Sequence, residues 1–190
     1  MNPVSHFLIS WSVGAAGELD KKGRVAVTVA GVLPDVDGFG IIFEKLTENT
    51  SHPLYWWSDY HHTFGHNVFF GLILATGCFL AAGRSLKAAA LALVVFHIHL
   101  LCDLVGAGGP EHTNWGIPYL FPVIRTELQW SGQWPINAWP NVLITACALA
   151  YVLFAAWKKG CSPVEVFSAR GDEAVVRAVK ARFNSEDANG

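Results

Sequence analysis

Apolar segments alternate with short polar joints along the chain, and this alternation is the main structural signal in the sequence. The apolar segments cover residues 6–17, 25–34, 67–82, 88–105 and 141–157. They are rich in Ala, Leu and Gly and show no apolar–polar alternation of period two, so they indicate helices rather than strands. The pattern therefore predicts an all-α chain with a bundle of about five helices.

Segment length and composition place these helices in a membrane. A membrane-spanning helix needs about 20 apolar residues. Residues 88–105 and 141–157 come near that length, residues 67–82 are slightly short, and the first two segments are too short to span alone. Hydrophobic residues make up 52% of the chain and charged residues only 15%, whereas a typical soluble domain has about 25% charged residues. We therefore predict a membrane-embedded helical bundle, and leave open whether residues 6–34 fully span the bilayer.

The basic residues of the joints indicate the orientation of the bundle. They are Lys21, Lys22, Arg24, Arg84, Lys87, Lys158 and Lys159. If consecutive helices alternate in direction, all of these cations lie at one end, and positive joints prefer the cytoplasmic face. The sequence thus predicts a multi-pass membrane protein with a cytoplasmic C-terminus, whose opposite end would face the periplasm in a bacterium. The net charge of -2 gives no basic surface for nucleic acid.

The charged stretch after the last apolar segment differs in composition from the rest. We predict a membrane-embedded domain at residues 1–159 and a cytoplasmic tail at residues 160–190. Residues 172–183 alternate apolar and charged positions at helical spacing, which predicts an amphipathic tail helix. Such a tail could dock a cytoplasmic partner, whose nature the sequence does not indicate.

Histidine and aspartate collect at the end of the bundle opposite the basic joints. The residues that alternating helices bring there are His6, Asp35, Asp37, His61, His62, His66, His99 and Asp103. Histidines scattered through a core would not be expected to sort to one end. This convergence predicts a metal site that faces the periplasm.

The spacing within these segments suits metal binding. His99 and Asp103 are four residues apart, so both side chains share one face of a helix. Asp35 and Asp37 follow Pro34, which tends to end a helix, so we expect the two aspartates in a turn. Each feature also has a simpler explanation, because a histidine–aspartate pair can be a buried hydrogen-bonded pair and an Asp-x-Asp-Gly stretch can be an ordinary turn.

The stretch HHTFGH at residues 61–66 contains three histidines within six positions. We expect a helix that begins near Thr63, with His61 in the loop before it and His66 in its first turn. We predict that His62 supports the ligands rather than binding metal directly. His97 lies on a different helical face from His99, and the same supporting or structural role is expected for it.

Imidazole and carboxylate ligands together suit zinc, manganese or iron(II). We predict roughly two or three divalent ions, most simply zinc with manganese as the alternative, because closely spaced ions can hold both oxygens of a phosphoester displacement. A metal-bound water would be the nucleophile. Asp37 and Asp103 are the candidates for the general base.

Aromatic residues are frequent in the segments predicted at this same end, namely Tyr55, Trp56, Trp57, Tyr60, Trp115, Tyr119, Trp130, Trp134 and Trp139. Trp and Tyr favour the membrane interface, so an aromatic belt is the simpler interpretation and recognition of a lipid substrate the second one. Arg125 is an isolated cation in this region. It is our candidate for binding a substrate phosphate, and snorkelling to the interface is the equal alternative.

The ordered set of motifs resembles the YdjM family of inner-membrane-associated proteins predicted to be metal-dependent hydrolases. The resemblance covers roughly residues 1–122 and rests on the region of His6 and on the motifs LPDVD (33–37), HHTFGH (61–66), HIHLLCD (97–103) and GIPYLFP (116–122). It implies the ligand set His6, Asp35, Asp37, His61, His66, His99 and Asp103. The chain has His62 and Gly65 where the family motif usually has Arg and Thr.

A more distant likeness is to the bacterial zinc-dependent phospholipase C, a helical enzyme that binds several zinc ions and hydrolyses phosphoesters. We therefore predict a membrane-bound, metal-dependent hydrolase that acts on a phosphoester, which could be lipid-linked, through a metal-activated water. Two other functions remain open. The chain could be a non-catalytic metal-binding membrane protein, or a membrane scaffold whose His/Asp set is a buried polar network without metal.

Overall fold

The computed structural model describes residues 1–109 and 114–187. Its α-helices are α1 (Pro3–Ala16), α2 (Lys21–Val32), α3 (Gly40–Thr47), α4 (Trp56–Tyr60), α5 (Val68–Ala81), α6 (Leu86–Gly106), α7 (Trp139–Lys158) and α8 (Ala169–Asp187). Among these residues, 3-10 helices cover Leu33–Phe39 and Pro163–Val166. Within the described ranges no strand longer than an isolated bridge occurs. The predicted all-α class is confirmed, with more helices than expected because two short ones form between residues 40 and 60.

The long helices alternate in direction, as predicted. His6 at the start of α1 hydrogen-bonds Asp103 near the end of α6, with 3.1 Å between Nε2 and Oδ1. The side-chain nitrogen of Asn141, near the start of α7, donates to the carbonyl oxygen of Gly106 at the end of α6, at 2.8 Å. At the opposite end, the ammonium of Lys159 donates to the carbonyl of Ala15. One end therefore gathers the histidines and aspartates and the other gathers basic residues.

Small residues set how closely the helices approach at the centre of the bundle. A Cβ atom at Gly71 of α5 would lie 2.7 Å from the ring of Phe96 on α6, and Phe96 is fully buried. A Cβ atom at Gly31 of α2 would collide with the hydroxyl of Ser10 on α1. Close backbone approach through small residues is typical of helices packed in membranes. It brings α1 close to α2 and α5 close to α6.

The second apolar segment is longer in the structure than in the sequence pattern. The chain continues from α2 through the 3-10 helix Leu33–Phe39 into α3 without leaving helical geometry. Pro34 is compatible with this because it occupies the first turn of the 3-10 helix. The expectation that Asp35 and Asp37 lie in an ordinary turn is therefore corrected, since both lie in the 3-10 helix.

Three helical stretches are long and apolar enough to cross a membrane, within the residues that the structure describes. They are Lys21–Thr47, Leu86–Gly106 and Trp139–Lys158. The apolar helix Val68–Ala81 is shorter. These stretches agree with a membrane-embedded bundle and show how the segment that starts at residue 25 becomes long enough to span.

The segment after α7 is tied to the bundle by a buried ion pair. Both guanidinium nitrogens Nε and Nη2 of Arg24 on α2 lie 2.6 Å from the carboxylate of Glu165, which also accepts from the indole of Trp11 at 2.9 Å. The amphipathic helix α8 follows and packs on α7, where Phe183 lies against Trp157. The division at residue 160 stays a prediction, and residues 161–166 contact the membrane-embedded helices.

Candidate metal centre

His99 is held by a hydrogen bond that fixes the orientation of its ring. Its Nδ1 atom lies 2.8 Å from the backbone carbonyl oxygen of Gly31. A carbonyl can only accept, so Nδ1 carries the proton, and in the neutral ring the lone pair is on Nε2. This Nε2 faces Oδ2 of Asp103 at 3.0 Å and Oδ1 of Asp35 at 3.4 Å. Three electron-rich atoms that face one another repel unless a cation, either a proton or a metal ion, lies between them.

Asp103 is the carboxylate at the centre of the cluster. It is buried at 2% exposure, and its Oδ1 lies 3.1 Å from Nε2 of His6. Its Oδ2 is 3.0 Å from Nε2 of His99 and 3.4 Å from Nε2 of His66. The amino group of Met1 also contacts Oδ1. Because its two oxygens face different histidines, one aspartate can contribute to two adjacent cation positions.

The first group of potential ligands comes from α1, α6 and the 3-10 helix. His6, Asp35, His99 and Asp103 each offer one ligand atom, and these atoms lie within 4.8 Å of one another. The rings of His6 and His99 stack with centroids 3.7 Å apart. Imidazole nitrogens and carboxylate oxygens in this ratio suit zinc, manganese or iron(II).

The second group combines the HHTFGH stretch with the same aspartate. His62, His66 and Asp103 also offer atoms within 4.8 Å of one another. His62 has a left-handed backbone conformation with φ of 66°, which few non-glycine residues adopt. His62 and His66 both precede α5, which begins only at Val68. The expected helix start near Thr63 is therefore wrong.

The two histidines of this second group differ in their electrostatic surroundings. Burial lowers the pKa of His62 to about 3, with a further contribution from His66, so the imidazole of His62 is neutral at physiological pH. Burial would also lower the pKa of His66, but its interactions with Asp103 and Asp37 are stronger and raise it. A neutral imidazole is the form that binds a metal ion. His62 therefore already has the form that binds metal, whereas the raised pKa of His66 makes the proton a stronger competitor for a metal ion at that ring.

Asp37 and His61 form a separate pair beside these groups. Nδ1 of His61 lies 3.0 Å from Oδ1 of Asp37, and the ring stacks on Trp57 with centroids 3.7 Å apart. Oδ2 of Asp37 lies 3.7 Å from Nδ1 of His66. The structure thus places this pair against a histidine of the second group, without bringing either residue into the two groups themselves.

Two other residues of the predicted set lie apart from the cluster. Nε2 of His97 hydrogen-bonds the hydroxyl of Tyr119 at 2.9 Å, and its Nδ1 bonds the carbonyl of Leu93 in the preceding turn. Arg125, predicted to bind a phosphate, is exposed. Its role in substrate binding stays a prediction that none of its described contacts supports.

Several buried polar atoms of the cluster have no hydrogen-bond partner of acceptable geometry. They are Oδ2 of Asp35, Nδ1 of His62, Nδ1 of His66 and Oδ2 of Asp103. Leaving such groups unsatisfied costs about 1–3 kcal/mol each, more for a charged group. A cation that binds among them would relieve that cost. The donor set and its unpaired atoms therefore fit one or two divalent metal ions.

Sequence reasoning missed the role of His62 as a potential ligand and the contact of the Met1 amino group. The sequence offered a weak signal for His62, since it is one of three histidines within HHTFGH. The sequence offered no signal that the carbonyl of Gly31 would hydrogen-bond His99, because every residue has a backbone carbonyl. The glycine matters because it lets α1 approach α2 at that point.

The fold and the site together define the class of this protein. It is a helical membrane protein with a buried His/Asp cluster at one end of its bundle, and this cluster could hold a metal ion. The chain belongs to the YdjM inner membrane protein family, whose model matches residues 1–170. The predicted resemblance is confirmed and extends beyond residue 122 through the segment that contains Glu165. No curated protein and no solved structure shows significant similarity to the chain.

Proposed function

We propose that this protein is a metal-dependent hydrolase of phosphoesters that works at the periplasmic face of the inner membrane. The observation that carries the proposal is the pair of ligand groups that share Asp103. Two cation positions joined by one carboxylate are the arrangement that phosphoester hydrolysis uses to hold the attacking and leaving oxygens. Zinc is the ion that best suits the mixture of imidazole and carboxylate, with manganese as the alternative.

When bound, the metal ions would polarise the phosphate and lower the pKa of a water to about 7. The residues of the chain have distinct tasks around that chemistry. The carbonyl of Gly31 keeps the lone pair of His99 aimed at the cluster, and support of this kind typically changes metal affinity by about 10–100-fold. In hydrolysis the water oxygen forms a bond to phosphorus, the ester P–O bond breaks, and the leaving oxygen takes up a proton.

Asp37 is the better candidate for the general base. Asp103 serves both ligand groups, so its oxygens are engaged by metal in this proposal. Asp37 lies outside both groups, is half-buried, and is oriented by Nδ1 of His61. A carboxylate held beside the metal positions and not used as a ligand can accept the proton of the attacking water.

The periplasmic orientation rests on the distribution of charge. Arg24 and Lys159 lie at the end of the bundle opposite the cluster. Basic residues prefer the cytoplasmic side of a membrane, which leaves the cluster on the periplasmic side.

The experiment uses the full chain, purified in detergent and loaded with zinc or manganese. Bound metal is quantified by mass spectrometry, and hydrolysis of bis(para-nitrophenyl) phosphate and its monoester is followed by colour. His99→Ala should lose metal and activity while the protein stays folded. His97→Ala is the matched control on the same helix, because it contacts Tyr119 rather than the cluster.

Each outcome points to one function. Metal binding and turnover, both lost only in His99→Ala, support the hydrolase. Metal binding without turnover of either ester or of a lipid phosphoester favours a non-catalytic metal-binding protein. Full activity in His99→Ala refutes the proposal, and no metal after reconstitution favours a scaffold with a buried polar network.

A further inference from the structure

A cavity of about 860 Å³ lies beside the ligand groups. That volume is within the roughly 300–1,000 Å³ of typical small-molecule sites. Among its lining side chains, the charged or titratable ones are Asp35, His61 and His62. All three belong to the cluster or touch it, so the charged and titratable side chains of the cavity are those of the cluster, while Asn137 adds a neutral polar group.

Apolar side chains from the end of the 3-10 helix and from α3 also line the cavity. Phe39, Ile41 and Ile42 line the cavity, yet they are 63%, 42% and 49% exposed. Side chains that both line a cavity and face outward mark its open side. Ile136, in the loop before α7, also lines the cavity and is likewise half-exposed.

This open side belongs to a part of the chain that can lie in the bilayer. Phe39, Ile41 and Ile42 fall within Lys21–Thr47, one of the stretches apolar enough to span. Soluble proteins rarely expose a contiguous apolar patch of this kind without a partner for it. Here the partner with matching chemistry is the hydrocarbon of the membrane, which would meet the cavity mouth directly.

Two aromatic residues line the cavity beside the imidazoles. The rings of Trp57 and Trp115 line the cavity and pack against His61, with the Trp57 ring stacked on it. A ligand that fills this space has a polar head toward Asp35 and His62 and an apolar chain toward α3.

We propose that the cavity binds the hydrocarbon chain of a membrane lipid phosphoester, which enters sideways from the bilayer past Ile41 and Ile42 and presents its phosphate to the metal ligands. The proposal rests on the proposed hydrolase function and assigns its substrate class and chain-binding residues. A soluble phosphoester would use only the polar residues of the cluster.

The test measures binding apart from catalysis. Hexadecylphosphonate and butylphosphonate share a phosphonate head and cannot be hydrolysed as esters. Their affinities for the zinc-loaded full chain in detergent are compared by native mass spectrometry and titration calorimetry. We expect the longer chain to bind at least about tenfold more tightly, which corresponds to about 1.4 kcal/mol.

Two variants on α3 separate the cavity from general partitioning into detergent. Ile42→Asp should remove most of the chain-length preference, because it should weaken hexadecylphosphonate binding much more than butylphosphonate binding. Leu46→Asp is the matched control, since Leu46 is 73% exposed on the same helix and does not line the cavity. It should keep the full preference.

The parallel assay uses para-nitrophenyl esters of methyl and hexadecyl phosphate. Ile42→Asp should lower kcat/KM for the hexadecyl ester by about tenfold and leave the methyl ester within about twofold. Equal chain-length preference in wild type, Ile42→Asp and Leu46→Asp would overturn the lipid-chain assignment even if the methyl ester is hydrolysed. Chain-length-dependent binding without hydrolysis of either ester would support the cavity assignment and count against the hydrolase.

Discussion

Replacing Asp103 by Asn tests whether one carboxylate serves two metal positions. Asn has nearly the same shape, so the change removes the negative charge and one acceptor oxygen while packing is kept. Oδ1 of Asp103 faces His6 at 3.1 Å, and Oδ2 faces His99 at 3.0 Å and His66 at 3.4 Å. If both groups bind metal, Asp103→Asn should lose both ions, whereas His6→Gln should lose one and His62→Gln the other.

The size of the effect follows from ligand energetics. Losing a partner that only supports a ligand costs about 10–100-fold in metal affinity, so losing a shared ligand should cost at least about 100-fold. Metal at 100 times its dissociation constant stabilises a folded protein by about 2.7 kcal/mol. For a chain of this length that raises Tm by about 5–11 °C. In Asp103→Asn the same metal concentration should raise Tm by less than about 2 °C.

The assay combines two measurements on detergent-purified protein. Mass spectrometry gives the number of bound ions in wild type, Asp103→Asn, His6→Gln and His62→Gln. Thermal unfolding with and without zinc gives the metal-dependent change in Tm, and a chelator should reverse it. The reasoning is refuted if Asp103→Asn loses the same single ion as His6→Gln, or if zinc raises Tm equally in Asp103→Asn and wild type.

Three further predictions concern the bundle and its orientation. Glu165→Gln should destabilise the protein by about 3–5 kcal/mol, measured by thermal unfolding, because it leaves the guanidinium of Arg24 partly buried without its charged partner. Gly65→Ala should weaken metal binding by about tenfold or more, measured by zinc titration, because its Cβ would collide with the carbonyl of Pro34 and displace the loop that carries His66. A reporter that is active only in the cytoplasm should be active when it is fused to the C-terminus, because we propose that the basic end of the bundle faces the cytoplasm.

The first two of these predictions have matched control variants, and each of the three has a result that would contradict it. Glu173→Gln removes an exposed carboxylate from α8 and should change stability by less than about 0.5 kcal/mol. Gly77→Ala adds a methyl group where nothing lies within 4 Å, so it should leave metal binding unchanged. If each variant behaves like its control, the buried ion pair and the packing of Gly65 do not have the assigned roles. A periplasmic C-terminus would place the cluster on the cytoplasmic side.

Local patterns in the sequence were enough to predict the helices and the end of the bundle at which the histidines and aspartates lie. A helix of apolar residues satisfies its own backbone hydrogen bonds, so composition and length alone indicate it. Alternating direction then decides which ends meet, and His6, His99 and Asp103 follow directly. The tail helix was equally visible, because the alternation at 172–183 has helical spacing.

The sequence pattern did not predict interactions between residues that are far apart along the chain. Glu165 and Arg24 are more than a hundred residues apart in the sequence, and no local pattern near either residue predicts their ion pair. The continuation of α2 through the 3-10 helix depends on how Leu33–Phe39 packs, since Pro34 is compatible with either a turn or a new helical start.

The adjacent residues His61 and His62 show most clearly what the sequence pattern could not predict. Both lie in one turn of irregular backbone, where a single dihedral angle decides the direction of a side chain. The left-handed conformation of His62 accompanies its placement in the second ligand group, while His61 pairs with Asp37. That conformation is held by a loop whose Gly65 packs against the backbone of Pro34. Sequence determined which residue types arrive at this end, and tertiary packing decided which of two adjacent histidines faces Asp103.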